Sequence, residues 1–299
     1  MAFILLAINQ FQLYNFWHYH IIQNYLSLNI VARSIMSFPY KHVLLIGATS
    51  GIGRAMADLF LSQEICVTAV GRRQDRLDDF VSKHTTGKAT SITFDVANIS
   101  GIPNFIKNAL QQHPTIDAIF LNAGVQSRFF FNNPSSVDLS NFDKEFLVNF
   151  TSVVHMTHAI LPHLLARDTP TALIYTGSHV SLIPAPPMPA YCASKAALES
   201  FMTSVRVQLE CTNVSVIHLS PGPVQTEIHH KEMGEARGKG FGMPLEVYTK
   251  ATWEKMQKGD KNVFVGPVGG SSEEQLAEIV EKREAAIGRM VELIKRMMG

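Results

Sequence analysis

With 299 residues and a formal net charge of +1, the chain is long enough for one large α/β domain and lacks the basic excess of a nucleic-acid-binding protein. Its acidic and basic residues are interspersed, so nucleic acid is not an expected partner. Three cysteines, Cys66, Cys192 and Cys211, fall in strand or helix patterns without a C-x-x-C spacing and read as reduced core residues, which points to a cytoplasmic location.

Residues 1–35 differ from the rest: they are rich in Phe, Tyr, Ile, Leu, Asn and Gln, contain no Gly or Pro, and carry Arg33 as their one charged side chain. The apolar run Met1 to Ile8 is far shorter than the ~18 residues that span a bilayer, and no basic n-region precedes a small-residue cleavage site. Residues 1–35 are therefore expected to be an extension outside the functional chain, with no membrane partner. Residues 36–299 are expected to form the catalytic domain.

From Met36 onward, apolar runs at 43–46, 65–70, 89–94, 116–121, 171–176, 214–219 and 262–265 alternate with helical spacing. This predicts a single Rossmann-like, doubly wound parallel sheet of about seven strands, with its ligand site beyond the carboxyl ends of the strands. The first run enters Gly47-Ala48-Thr49-Ser50-Gly51-Ile52-Gly53 and then a helical pattern from Arg54 to Ser62. A buried strand, a glycine turn and a helix N-terminus form an anion cradle, because unpaired amides and the helix dipole face a pyrophosphate.

Phe129-Phe130-Phe131 reads as core filler or pocket wall, with the pocket favoured. His155, His158 and His163 share one predicted helix, but no carboxylate or cysteine completes a ligand set, so no metal is expected. The prolines of Pro184-Ala185-Pro186-Pro187-Met188-Pro189 pre-order a loop expected to wall the substrate pocket.

Tyr191 and Lys195 then lie four apart on a helical segment, with Ser178 upstream. They share one helical face, where an ammonium about 4 Å away is worth on the order of 4 kcal/mol at a dielectric near 20. That attraction would bring a phenol titrating near 10 toward about 7 and make it a usable acid or base.

The polar, glycine-rich stretch 227–250 reads as a substrate lid. Residues 271–298 turn helical, with Ser271-x-x-Glu274 as a capping box and a broad stripe of Leu276, Ile279, Val280, Ile287, Met290, Val291, Ile294 and Met297. Packing against the body of the domain is expected over a partner-binding face.

The spacing Gly47-x-x-x-Gly51-x-Gly53 together with Tyr191-x-x-x-Lys195 resembles the short-chain dehydrogenases/reductases, and the resemblance runs from about residue 41 to 266. Leu121-Asn122-Ala123-Gly124 is similar to the family's Asn-Asn-Ala-Gly, and Asn149 matches the asparagine of its Asn-Ser-Tyr-Lys tetrad. Pro221-Gly222-Pro223-Val224-Gln225-Thr226 matches its Pro-Gly turn. Two departures stand out: Ile46 replaces the Thr before the first glycine, and Leu121 replaces the first Asn.

The resemblance implies a catalytic set of Asn149, Ser178, Tyr191 and Lys195. It also implies cofactor contacts at Gly47, Thr49, Ser50, Gly51, Ile52, Gly53, Asp95, Val96, Asn122, Ala123, Gly124, Tyr191, Lys195, Pro221, Gly222, Val224 and Thr226. In the implied roles, Tyr191 exchanges the proton, Ser178 bonds the substrate oxygen, Lys195 holds the ribose and lowers the Tyr191 pKa, and Asn149 places a relay water.

At the end of the second strand Gly71-Arg72-Arg73 stands where an NAD enzyme would carry a carboxylate. Arg72 can pair with a 2′-phosphate, so NADP(H) is expected over NAD(H). The other reading is a solvated basic helix start, with Arg76 nearby. The expected activity is NADPH-dependent hydride transfer on a small carbonyl or alcohol substrate, in a possible homodimer or homotetramer. An NADP-binding regulatory protein without turnover and an NAD-dependent alcohol dehydrogenase are the alternatives.

Overall fold

The computed structural model describes residues 38–229 and 240–298. The extension at 1–35 lies outside the described residues, as does the 230–239 part of the expected lid. Seven strands form one parallel sheet: β1 (His42–Ile46), β2 (Cys66–Gly71), β3 (Ala89–Thr93), β4 (Ala118–Leu121), β5 (Thr171–Thr176), β6 (Val214–Pro221) and β7 (Asn262–Val265). Their order is β3-β2-β1-β4-β5-β6-β7. The order reverses between β1 and β4, where Val43–Ile46 pairs with Ala118–Leu121, and this opens the crevice at the strands' carboxyl ends.

Each expected strand is present to within about two residues. At the start of β4 the difference has a clear cause. The Asp117 carboxylate turns back to accept the N–H groups of Lys41 (2.8 Å) and His42 (2.9 Å), tying the entry of β4 to that of β1.

The helices are α1 (Gly51–Ser62), α2 (Gln74–Lys83), α3 (Ile102–Gln112), α4 (Leu139–Phe146), α5 (Ser152–Leu165), α6 (Pro189–Gln208), α7 (Leu245–Gln257) and α8 (Glu273–Met298). A π-helical turn, Leu147–Thr151, joins α4 to α5. They cover both faces of the sheet, which is why the strands read as unbroken apolar runs. Val43, Leu45, Phe120 and Ile174 face Phe60, Met56 and Trp253 on one side. Leu44, Ile46, Ile119 and Tyr175 face Ile102, Ile106, Met156 and Leu198 on the other.

Three expectations need correction here. Cys192 is buried and Cys66 half-buried, but Cys211 is exposed, because α6 ends at Gln208 and leaves Cys211 in a surface turn. The capping box of α8 is Ser272-x-x-Gln275, one residue later than expected. Ser272 N–H donates to Gln275 Oε1 (2.9 Å) and Gln275 N–H to Ser272 Oγ (3.3 Å), while Ser271 N–H is taken by the Val268 carbonyl. The stripe on α8 also divides: Leu276 is buried and Val280, Ile287 and Val291 are half-buried, whereas Ile279, Met290, Ile294 and Met297 are exposed. Among the described residues, no helix is long and apolar enough to cross a membrane.

Candidate active site

The glycine loop turns directly off β1. Gly47 adopts φ +92°, and its N–H and that of Ala48 both donate to the Val70 carbonyl at 2.8 and 3.0 Å. A Cβ at Gly47 would lie 2.7 Å from the Ala123 backbone, and one at Gly53 only 2.1 Å from the Gly47 carbonyl oxygen. Side chains are thus excluded so that α1 can start against the end of β4. Ser50 caps α1 without a side-chain hydrogen bond, which leaves the first amides of the helix without a side-chain acceptor. This bare cradle fits the pyrophosphate of a dinucleotide.

Thr49, Ser50 and Glu227 gather two guanidinium groups beside the loop. Arg73 donates to Thr49 Oγ1 (2.7 Å), Ser50 Oγ (2.7 Å) and Glu227 Oε2 (3.0 Å), and Arg76 donates to Glu227 Oε1. Arg72, the residue singled out from sequence, instead points outward, 56% exposed and 3.8 Å from Asp95. Arg73, Arg76 and Glu227, and not Arg72, are therefore the charged side chains drawn to the loop, and none of the three stood among the expected contacts. The basic run Gly71-Arg72-Arg73 was visible, but which guanidinium turns inward was not. Asp95 is exposed and accepts the Ala97 N–H at 3.0 Å, and Val96 beside it is buried.

Asn122 links the loop to the chemical half of the crevice. Its amide donates to the Gly47 carbonyl (3.1 Å) and accepts from Thr176 Oγ1 (3.0 Å). From the other side, the Pro221–Thr226 turn closes over the loop. Gly222 N–H bonds the Val265 carbonyl (2.9 Å), Val224 is buried, and the Thr226 methyl would lie 3.3 Å from a Cβ on Gly51. Ile52, in the first turn of α1, packs partly buried against the core.

Ser178, Tyr191, Lys195 and Asn149 come together at the ends of β4 and β5. Ser178 follows β5 and caps a short 3-10 turn, His179–Ser181, its hydroxyl accepting from Val180 N–H (3.4 Å) and lying beside the Tyr191 phenol. Lys195 is 3% exposed, donates to the Thr176 carbonyl at 2.7 Å, and lies 5.6 Å from the centre of the Tyr191 ring. Asn149 is fully buried in the π-helical turn, an irregularity that recurs at functional sites. Its Oδ1 accepts Val125 N–H (2.9 Å), and its Nδ2 donates to the Val125 carbonyl (2.9 Å) and Ser194 Oγ (3.1 Å). The Asn149 side chain thus ties the segment just after Ala123-Gly124 to Ser194 on α6.

The titration behaviour corrects one expectation. Burial pushes the Tyr191 phenol up to about 12, against the lowering hydrogen bond from Ser178. Burial also lowers Lys195 to about 8. Desolvation is the largest cause of both shifts, because burial disfavours the charged form of each group.

Of the three phenylalanines, Phe129 is buried and packs edge-on to Phe142 at 5.3 Å, with its N–H on the Pro187 carbonyl of the proline loop. Phe130 and Phe131 are about half exposed and so are not core filler. His163 binds the Ile116 carbonyl (2.8 Å), and among the described residues no three His, Cys, Asp or Glu side chains converge on a metal-sized site.

The sequence pattern of the short chain dehydrogenases matches residues 41–236. The chain belongs to the short-chain dehydrogenase/reductase family, and is thereby an oxidoreductase that uses a nicotinamide cofactor. It is 28% identical over 228 residues to the uncharacterized oxidoreductase DltE of Bacillus subtilis, covering 76% of this chain and 89% of that protein. It is 31% identical over 202 residues to the uncharacterized short-chain type dehydrogenase/reductase y4eK of Sinorhizobium fredii, covering 67% and 76%.

The closed form of serine dehydrogenase complexed with NADP+ matches with a TM-score of 0.67 at 24% identity, over 76% of this chain and 94% of that one. A Burkholderia phymatum short chain dehydrogenase/reductase in complex with NAD matches with a TM-score of 0.68 at 21% identity, over 76% and 89%. At these identities the structural likeness shows the fold.

Proposed function

We propose that the protein is an NADP(H)-dependent reductase of a ketone or aldehyde, with Tyr191 as general acid in reduction and general base in the reverse direction. The observation that carries this reading is the convergence of the Tyr191 phenol, the Ser178 hydroxyl, the buried Lys195 ammonium and the Asn149 amide at the carboxyl edge of the sheet. The bound nicotinamide supplies the hydride. As negative charge develops on the carbonyl oxygen, Tyr191 gives up its proton and Ser178 donates a hydrogen bond to the same oxygen. Lys195 lies beside the phenol ring and is placed to bind the ribose hydroxyls. Asn149 holds the backbone of Val125, which fixes the floor beneath them.

The preference for NADP(H) rests on the basic end of β2. Arg73 and Arg76 meet Glu227 beside Thr49 and Ser50, and Arg72 stands at the same strand end 3.8 Å from Asp95. Similar folds are known with NADP+ and with NAD, so the arginines and not the fold support the choice. A panel of ketones, aldehydes, quinones and diketones, assayed by loss of NADPH and NADH absorbance, tests the activity. Turnover of a carbonyl with NADPH favoured supports it. Tight nucleotide binding without turnover of any compound would favour the regulatory alternative.

A further inference from the structure

Glu199 lies on α6 at the i+8 position from Tyr191 and i+4 from Lys195, so the three share one helical face. It is a carboxylate only 4% exposed. Its Oε2 accepts from the Ser181 hydroxyl and its Oε1 from Nη1 of Arg283 on α8. Ser181 ends the short turn that Ser178 begins, and its hydroxyl also lies 2.7 Å from the Ser178 carbonyl oxygen. A chain of contacts therefore runs from the C-terminal helix through a buried carboxylate to the backbone of Ser178.

Two facts give this chain more weight than a packing contact. Taking an ionised carboxylate out of water without a partner is costly, so Glu199 needs a cation. The other guanidinium nearby, Arg206, is committed to the carbonyls of Val216 and Lys261 at 3.3 Å each, which leaves Arg283 as the direct partner. Arg283 also lies outside residues 41–236, where the family pattern matches. A helix beyond that segment thus neutralises a charge beside the turn that carries Ser178.

We propose that Arg283 is a positioning residue for the oxidoreductase reaction, acting through Glu199 to hold the Ser178–Ser181 turn in register with Tyr191. This rests on the reading of Ser178 and Tyr191 given above. Misplacing a reacting group by about 1 Å can cost up to about 100-fold in rate. Arg283→Met is therefore expected to lower kcat by about 10- to 100-fold. The Kd for NADPH is expected to stay unchanged, since the glycine loop and Arg73 are not touched.

The conservative Arg283→Lys should recover most of kcat. Glu199→Gln combined with Arg283→Met should be less impaired than Arg283→Met, because no unpaired charge is then left buried, and Glu199→Gln alone leaves only the Arg283 guanidinium, which at 34% exposed still reaches water. A purely structural contact would lower the melting temperature and leave the kcat of the folded enzyme and the rescue pattern unmoved. That result overturns the proposal.

Hydrogen exchange supplies a readout that needs no substrate. In Arg283→Met the amides of Val180, Ser181 and Leu182 should exchange faster, with Gly47 to Arg54 unchanged. Should Arg283→Met not fold, the same comparison is made with Glu199→Gln, in which the Ser181 hydroxyl loses its charged acceptor. If the wild type turns over no carbonyl compound, the proton-transfer reading fails while the exchange comparison still decides the Arg283 link. Unchanged exchange at 180–182 rejects that link.

Discussion

Around Tyr191 the polar groups are buried and committed: Lys195, Asn149 and Ser178 are at most 8% exposed, and each is held by a named neighbour. Around the glycine loop the charged side chains of Arg73, Arg76 and Glu227 are about 40% exposed and satisfy one another through ion pairs. In the first region burial sets the chemistry, moving a phenol and an ammonium in opposite directions. In the second, screened pairs of modest strength hold the side chains in place beside the loop, where the proposed NADP(H) preference would put the 2′-phosphate. A substitution should therefore act on rate in the first region and on nucleotide selection in the second.

The strongest test of this division is Tyr191→Phe, which removes one phenolic proton. General acid catalysis contributes roughly 10²- to 10⁴-fold, so kcat should fall by that factor while the NADPH Kd holds. Retention of more than about a tenth of kcat would remove Tyr191 from the role of acid.

Arg73→Ala and Arg72→Ala, each titrated with NADPH and NADH, probe the other region. A hydrogen bond to a charged group is worth about 1.5–3 kcal/mol, or roughly 10- to 150-fold in Kd. Arg73→Ala should weaken NADPH by that factor and spare NADH, and Arg72→Ala should do less, because Arg72 points to solvent. Equal losses for both nucleotides would reassign Arg73 to support of the loop.

The pH dependence separates the regions again. Lys195 titrates near 8 because burial disfavours its ammonium, so that charge is present below about pH 8 and lost above it. NADPH affinity should fall, by less than about tenfold, as pH rises through 8, and Lys195→Met should abolish the dependence. The folded pKa lies below the ordinary 10.5, so the folded state holds fewer protons than the unfolded one between those values. Stability should accordingly rise with pH in that window, the opposite of the trend in affinity, as thermal melts across the range would show.

The smallest effect is expected at Glu227, whose carboxylate occupies Arg73 and Arg76. Exposed ion pairs contribute a fraction of a kcal/mol, so Glu227→Gln should tighten NADPH about 2- to 5-fold without affecting NADH. Weaker NADPH binding in this variant would mean that Glu227 orders the arginines and does not compete with the phosphate.

Much of the molecule was legible in the residues alone. Strands buried on both faces must be continuously apolar, so Val43–Ile46 and Thr171–Thr176 announce themselves, and a helix can start against β4 only where Gly47 and Gly53 leave room. Spacing likewise placed Tyr191 and Lys195 on one face of α6, because helical geometry follows from order along the chain. Tertiary structure decided what lies opposite those faces. It turned Arg73 inward and Arg72 outward, left Met290 and Met297 of α8 uncovered, and put Arg283 against Glu199. It also reversed the expected titration of Tyr191, since the cost of burying a charge depends on the neighbours that displace water, and those neighbours come from distant parts of the chain.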